Sequence, residues 1–125
     1  MKILLTRPDF DSKNLALKLK ESKHTIEIAP LIRIAKVTSA KDFNFNSFNT
    51  LIFTSKNGIR YFGNSSLKEK LIFTVGDGTY KEAKETGYKN INNADGDVSN
   101  LISLIFKNFY KIKANILHIT SLQPN

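Results

Sequence analysis

Cysteine is absent from the 125-residue sequence, and histidine occurs only at His24 and His118. Without cysteine the chain has no disulfide, no thiolate metal ligand and no cysteine nucleophile. With two imidazoles in the whole chain, we do not expect a transition-metal site. No apolar run approaches the ~20 residues of a membrane-spanning helix, and the run at 3–5 is too short for the core of a signal peptide. The sequence therefore predicts a soluble, cytoplasmic protein that does not enter a membrane.

Acidic residues are also scarce, with 11 Asp and Glu against 19 Lys and Arg, and the net charge is +8. A positive surface attracts nucleic acids and small polyanions. Nearly all of this charge is lysine, because arginine occurs only at Arg7, Arg33 and Arg60. A general drift of the composition towards Lys, Asn and Ile is the simpler explanation, and a field selected for a polyanionic partner is the alternative.

Short apolar runs alternate along the chain with segments of helical period, which predicts an α/β protein with parallel strands covered on both faces. The predicted strands are 2–6, 24–37, 50–54, 71–75, 88–92 and 114–120. The predicted helices are 12–22, 56–63 and 78–86, and a fourth with an apolar face of Leu101, Ile102, Leu104, Ile105 and Phe109. The polar segment 38–49 is expected to hold one short helical turn.

Capping and breaking residues set the expected limits of these elements. Asp11 or Ser12 is the expected N-cap of the first helix, and Asp97 or Ser99 that of the fourth. The glycine after residue 86 ends the third helix in the usual way. Pro30 interrupts the alternating pattern over 24–37, so that strand is expected to bend or to pass to another sheet.

Hydroxyl groups, glycines and bare amides follow the predicted strands. In an open parallel sheet, ligands bind beyond the carboxyl ends of the strands. The corners concerned are Thr6-Arg7, Thr54-Ser55, Gly76-Asp77-Gly78-Thr79 and Thr120-Ser121. Two of them lead into a helix N-terminus, where free N–H groups attract carboxylates and phosphates. Ordinary capping and turn formation explain any one corner, but four corners on one edge favour binding of an anion.

No recognised catalytic set is present: the sequence has no GxSxG motif, no dinucleotide fingerprint and no P-loop. His118 lies within an apolar strand and is expected to be packed, whereas His24 is expected to be solvated. Tyr61 and Tyr80 come early in predicted helices, where they either pack between elements or face a cleft. The sequence therefore offers no acid, base or nucleophile that stands out.

Five blocks, read in order, resemble the uroporphyrinogen-III synthase family. They are ILLTRP, LIFTSKNGIRYF, VGDGTYKEAKETGY, DGDVSNLISLI and NILHIT. Each block is degenerate alone, but their order and spacing are similar to the family across essentially the whole chain. The resemblance implies an α/β fold with two flavodoxin-like parallel-sheet domains joined by two crossing strands.

On this resemblance, 1–37 is the first part of domain 1 with a crossing strand, and 38–125 is most of domain 2. Family members run to well over 200 residues, so the first domain is expected to be incomplete and the chain to be a fragment or a truncated gene product. The part expected to be missing includes the return crossing and a tyrosine that the family places at its cleft. The family protein is a monomer, whereas such a fragment is free to self-associate.

The activity implied is that of a cyclising hydro-lyase. Hydroxymethylbilane, a linear tetrapyrrole with eight carboxylates, is closed to uroporphyrinogen III with loss of water and inversion of ring D. The resemblance implies no cofactor, no metal, and a small-molecule substrate rather than nucleic acid. Because the enzyme must mainly hold a flexible chain in one geometry, a strong acid or base is not required.

Matched motif by motif, the resemblance implies substrate-carboxylate binding at nine residues: Thr6, Arg7, Thr54, Ser55, Lys56, Asn57, Gly76, Gly78 and Thr79. Ser99 matches the cap of the following helix. The last corner reads TSLQPN, whereas the family often has a glycine and an arginine there, so contacts from Thr120 and Ser121 do not follow from the resemblance.

Two other function classes compete with the enzyme. A non-catalytic flavodoxin-like module for a carboxylated or phosphorylated ligand would use the same sheet edge, but without turnover. A basic nucleic-acid-binding protein would explain the charge, but the sequence has no aromatic-basic stripe and no recognisable docking helix.

Overall fold

The computed structural model describes residues 1–37, 43–63, 65–113 and 115–121. The chain divides into two compact units, Met1–Ala35 and Lys36–Asn125, called here the N-terminal unit and the C-terminal unit. Every described strand pairs in parallel with its neighbours. Parallel pairing follows from the sequence pattern, because a helical crossover returns the chain to the same end of the sheet.

The N-terminal unit is one β-α-β motif, made of β1 (Lys2–Leu5), α1 (Asp9–Lys18) and β2 (Thr25–Ile28). The predicted limits of its helix are wrong, because α1 begins and ends earlier than 12–22. Pro8 stands at the N-cap position, where its ring fixes φ and its missing N–H costs nothing. Neither of the expected N-caps is correct, because Asp11 and Ser12 are both buried inside the helix.

The predicted strand over 24–37 is much shorter than expected. β2 ends at Ile28, and two further amides extend the pairing: Ala29 N–H donates to the Leu5 carbonyl and Leu31 N–H to the Thr6 carbonyl. Pro30 lies between them and has no N–H to donate. Beyond Leu31 the described chain up to residue 37 forms no regular strand.

The C-terminal unit contains a sheet of four described strands, in the order β5-β4-β3-β6. The strands are β3 (Thr50–Phe53), β4 (Leu71–Thr74), β5 (Asn90–Asn93) and β6 (Ile116–Ile119). The helices are α2 (Lys56–Phe62), α3 (Asp77–Thr86) and α4 (Val98–Lys107). Single 3₁₀ turns lie at Phe45–Ser47, Ser65–Leu67 and Phe109–Lys111. This architecture confirms the predicted α/β class with flavodoxin-like parallel sheets.

The strand order reverses once along the chain. From β3 the chain builds outward through β4 to β5, and it then crosses back to place β6 on the other side of β3. α2 and α3 pack against each other, and α4 packs against β4. Because βαβ crossovers are right-handed, the reversed crossover places α4 on the face opposite α2 and α3.

The apolar core lies between the sheet and the α2–α3 layer. Its buried members are Leu51, Phe53, Ile59, Leu67, Ile72, Ala83 and Tyr88. On the other face, Phe73 of β4 is fully buried and Leu101 of α4 is nearly so. The centre of the sheet is therefore covered on both faces. Within the core, the Phe53 and Tyr88 rings pack at a tilt with their centroids 5.7 Å apart.

Some strands, and part of α4, are less buried than predicted. β6 alternates exposed and half-buried residues, and so does β2, so the expectation of strands covered on both faces is wrong for them. In α4, Ile102 is exposed although it was placed on the apolar face, and Phe109 lies exposed in the 3₁₀ turn beyond the helix. α4 packs on β4, and one helix about 10 Å wide does not reach across to β6 as well.

The ends of α3 follow the sequence signals. Gly87 has a φ of 97°, a left-handed conformation that favours glycine, and Tyr88 N–H donates back to the Ala83 carbonyl at 3.1 Å. Among the described residues, no helix is both long enough and apolar enough to span a membrane.

Candidate functional site

The carboxyl ends of the C-terminal unit's strands meet at one edge of the sheet, called here the carboxyl edge. Phe53 of β3 is in register with Thr74 of β4 and with Ile119 of β6. The strand order reverses between β3 and β6, so the gap between these two strands is a topological switch point. In open α/β sheets this is where ligands bind.

The first turn of α2 lies against this gap at Gly58. A Cβ added to Gly58 would lie 3.4 Å from the Ile119 carbonyl oxygen and 3.5 Å from the Phe53 ring. These are ordinary contact distances, and they show that α2 packs against both β3 and β6 here. The residues between β3 and α2 are held close to the switch point as a result.

Ser55 has a structural role at this corner. Its backbone is extended, and its hydroxyl oxygen accepts from Asn57 N–H at 3.1 Å and Gly58 N–H at 3.4 Å, which caps α2. The hydroxyl proton remains available to a ligand, because these bonds use only lone pairs. α2 has seven residues, so its dipole adds little and the side chains must supply the binding.

Lys56 and Asn57 form the first turn of α2, and both are half-buried. The Asn57 side-chain oxygen accepts from Arg60 Nη1 at 3.4 Å. Arg60 in turn pairs with Glu82 of α3 at 2.8 Å. This chain of contacts ties the corner after β3 to the neighbouring helix and limits its movement.

Thr54 and His118 make a hydrogen-bonded pair across the switch point, with Thr54 Oγ1 and His118 Nε2 3.4 Å apart. His118 is exposed, so the prediction that it is packed within its strand is wrong. The alternation along β6 is the signal that could have shown this, because Ile116 and His118 share one face and Leu117 and Ile119 the other.

The corner after β4 offers backbone amides. Tyr80 N–H makes the first helical bond, to the Gly76 carbonyl, so the N–H groups of 77–79 have no intrahelical acceptor. Among the described residues no side chain caps α3. No described atom lies within 4 Å of a Cβ built on Gly78, so the surface there is open.

Two charged side chains, Asp77 and Lys81, lie beside these amides. Asp77 is exposed in the first turn and pairs with Lys81 at 2.8 Å. The hydrogen bond from Lys81 to Asp77, together with the Asp77 charge, raises the pKa of Lys81 above its ordinary value. The pair is close to neutral as a whole, so Asp77 repels an anion less than a lone carboxylate would. Thr79 is 7% exposed and points into the protein rather than out at the edge.

The corner after β5 is occupied by its own contacts. Asp97 caps α4 in a capping box, with reciprocal bonds to Asn100 at 3.1 Å each. This settles the N-cap in favour of Asp97, and Ser99 is an exposed residue of the first turn. Thr74 Oγ1 donates to Asn93 Oδ1 at 3.1 Å, which closes the end of β4 on β5. These polar groups therefore have structural roles at this corner.

In the N-terminal unit, Thr6 and Arg7 follow β1, but β1 belongs to a separate two-stranded sheet, so the prediction of four corners on one sheet edge is wrong. Thr6 is exposed, and its carbonyl accepts from Leu31 N–H at 3.0 Å. The Arg7 guanidinium lies 4.0 Å from the Asp11 carboxylate and is 60% exposed. Ser12 Oγ donates to the Arg7 carbonyl at 2.9 Å, which fixes the backbone of this corner.

The remaining candidate side chains differ in how far they are exposed. Tyr61 is 40% exposed and Tyr80 is half-buried, while Thr120 and Ser121 after β6 are exposed. In the described ranges no cluster of His, Asp and Glu is arranged to hold a metal ion. The carboxyl edge thus presents hydroxyls, amides and a lysine, which suit the binding of carboxylates.

Comparisons with known proteins identify the family of the chain. A search of curated proteins finds no match to the chain. The family model described as uroporphyrinogen-III synthase HemD matches residues 13–125. The chain therefore belongs to the uroporphyrinogen-III synthase family.

Proposed function

We propose that the chain acts as a uroporphyrinogen-III synthase, a cyclising lyase that converts hydroxymethylbilane to uroporphyrinogen III with inversion of ring D and loss of water. The main support for the proposal is the switch point between β3 and β6, where Thr54, Ser55 and Lys56 lie together. The chain also belongs to the synthase family. The substrate is an octacarboxylate, and these three side chains carry donor groups for carboxylates.

Neutral donors suit this substrate better than a cluster of arginines. Each hydroxyl or amide bonded to a carboxylate contributes about 1.5–3 kcal/mol, and a set of separate contacts lets a flexible chain adjust while its ends approach. The net charge of +8 attracts the substrate from a distance. The rate then comes mainly from holding the two ends in one geometry.

The proposed contacts differ in their structural support. Thr54 and Ser55 keep a hydroxyl at the carboxyl edge, and Gly78 leaves open surface at the α3 amides. Lys56, Asn57 and Gly76 flank these groups as weaker candidates, as do Thr6 and Arg7 in the N-terminal unit. Thr79 has the least support, because its side chain is buried.

Other properties implied by the family stay predictions: a division into 1–37 and 38–125, a cytoplasmic location, and no need for a cofactor or nucleic acid.

A binding module without turnover would use the same edge. The functional test therefore has to measure a product as well as binding.

The test is the isomer ratio of the product. Hydroxymethylbilane is generated in a coupled assay with and without the protein, and uroporphyrins I and III are separated after oxidation. We expect an excess of type III that grows with protein concentration. Type I alone at every concentration would contradict the synthase proposal, and tight binding of uroporphyrin in that case would support the binding module.

A matched pair of threonine variants locates the site. Thr54→Ala removes a hydroxyl at the carboxyl edge, and we expect type III formation to fall roughly tenfold, the value of one hydrogen bond to a charged group. Thr86→Ala is the control, because Thr86 lies at the other end of α3 and its hydroxyl donates to the Glu82 carbonyl. Equal losses in the two variants would show that Thr54 has no special role.

A further inference from the structure

His118 is an ionisable group at the switch point that the family resemblance does not assign. Its register partner is Ile52 of β3, so the ring lies on the sheet face opposite Leu51 and Phe53. α4 covers that face at β4 but leaves His118 exposed. Among the described residues, Thr54 is the side chain that hydrogen-bonds to this ring.

The direction of the Thr54–His118 hydrogen bond decides what Thr54 offers to a ligand. A hydroxyl has one proton and two lone pairs. If His118 Nε2 is unprotonated, it accepts the Thr54 proton, and only lone pairs face a ligand. If Nε2 carries a proton, the ring donates to Thr54 Oγ1, and the hydroxyl proton is free to point at a carboxylate.

We propose that His118 is a positioning residue, which in its Nε2-protonated form orients the Thr54 hydroxyl towards a carboxylate of the bound tetrapyrrole. The proposal rests on the proposed function, because it concerns the same site. It predicts that ligand binding selects the ring form with a proton on Nε2, either as a tautomer or as the imidazolium.

The chemical shifts of the histidine ring nitrogens show whether Nε2 of His118 carries a proton. The chain has only two imidazoles, His24 and His118, so a ¹H–¹⁵N spectrum of the rings contains two spin systems. His24 precedes β2, at the amino end of that strand, and serves as an internal control. A His24→Gln variant assigns the signals. On titration with uroporphyrin III, the His118 Nε2 resonance should move into the range of a protonated nitrogen, while His24 stays unchanged.

Two substitutions separate the hydrogen bond from the space that the ring fills. His118→Gln places an amide N–H near the position of Nε2, and its uroporphyrin affinity should stay within about twofold of the parent. His118→Leu fills the space without a donor, and its affinity should fall roughly tenfold. Because His118 is exposed, neither change is expected to disturb folding, which circular dichroism checks.

A double-mutant cycle tests whether His118 acts through Thr54. In a Thr54→Val background, His118→Leu should change the affinity less than about twofold, because the hydroxyl that it orients is gone. An undiminished tenfold loss would show that His118 contacts the ligand itself, and would overturn the positioning role.

The outcomes separate this proposal from the proposed function. If uroporphyrin binds and type III forms, but His118 Nε2 does not move and His118→Leu binds like the parent, then the positioning role is overturned and the synthase stands. If no uroporphyrin binds and no type III forms, both proposals fail together.

Discussion

Breaking the Arg60–Glu82 ion pair should weaken the fold of the C-terminal unit measurably. The pair joins α2 to α3 with Arg60 Nη2 and Glu82 Oε2 2.8 Å apart, and each side chain is only 18% exposed. Arg60 also donates to Asn57 at the first turn of α2. The pair therefore holds together the two helices that begin at the carboxyl edge.

The burial of the pair sets the magnitude. Exposed ion pairs contribute about 0–1 kcal/mol, whereas removing one partner of a fully buried pair costs about 3–5 kcal/mol. At 18% exposure the pair lies between these limits. We expect Glu82→Gln to lower the free energy of unfolding by about 2 kcal/mol, which corresponds to roughly 10 °C in Tm for a unit of this size.

Urea unfolding followed by circular dichroism measures the effect, and the chain offers a matched control. Glu69 pairs with Lys89 at 2.5 Å, but both side chains are more than half exposed. Glu69→Gln should change the free energy of unfolding by less than about 0.5 kcal/mol. If Glu82→Gln were as mild as Glu69→Gln, the reasoning from burial would be refuted.

Two further predictions concern the core. Thr50 is 1% exposed, and its Oγ1 has no hydrogen-bond partner among the described residues; Thr50→Val should therefore leave stability unchanged or raise it by about 1 kcal/mol in urea unfolding, and a clear loss would reveal a partner for the hydroxyl. Burial raises the pKa of the Tyr88 phenol above its ordinary value of 10.0. The unfolded chain therefore loses this proton first, so the contribution of Tyr88 is fully present below pH 10.0 and is lost as the pH rises through the folded pKa. Tyr88→Phe should show a shallower alkaline fall in the free energy of unfolding, and identical pH profiles would contradict the raised pKa.

The central β-α-β-α part of the fold is the part that local sequence signals predict best. β3, α2, β4 and α3 all lie within a residue or two of their predicted limits. Their ends carry strong signals, such as the Ser55 cap and the left-handed Gly87. Apolar runs buried on both faces leave little choice of element type.

The errors have non-local causes. The alternating pattern over 24–37 looks the same whether or not a strand is available to pair with it, so the end of β2 depends on β1 rather than on its own residues. The order of the strands also has a non-local cause, because no residue within 114–120 specifies that this strand pairs with β3. Coverage by α4 depends on that order, and the exposure of Ile102 was therefore not predictable.

The same limit applies to the candidate site. The corner residues Thr54 to Asn57 could be placed at a strand end from the sequence alone, because strand and helix signals adjoin there. Their neighbour across the gap could not be identified, because His118 comes 64 residues later and reaches Thr54 only through the order of the strands. The contact of Gly58 with Ile119 likewise depends on the position of β6.

Amide chemical-shift mapping with uroporphyrin III tests the central claim most directly, namely that a tetrapyrrole polycarboxylate binds at the carboxyl edge of the C-terminal unit. We expect the largest shifts at 54–58, at 76–79 and at the end of β6 around residues 118–121. The amino ends of the same strands, at Thr50, Leu71 and Ile116, should stay unchanged. Shifts concentrated at those amino ends, or no shifts at millimolar ligand, would show that the tetrapyrrole does not bind at the carboxyl edge.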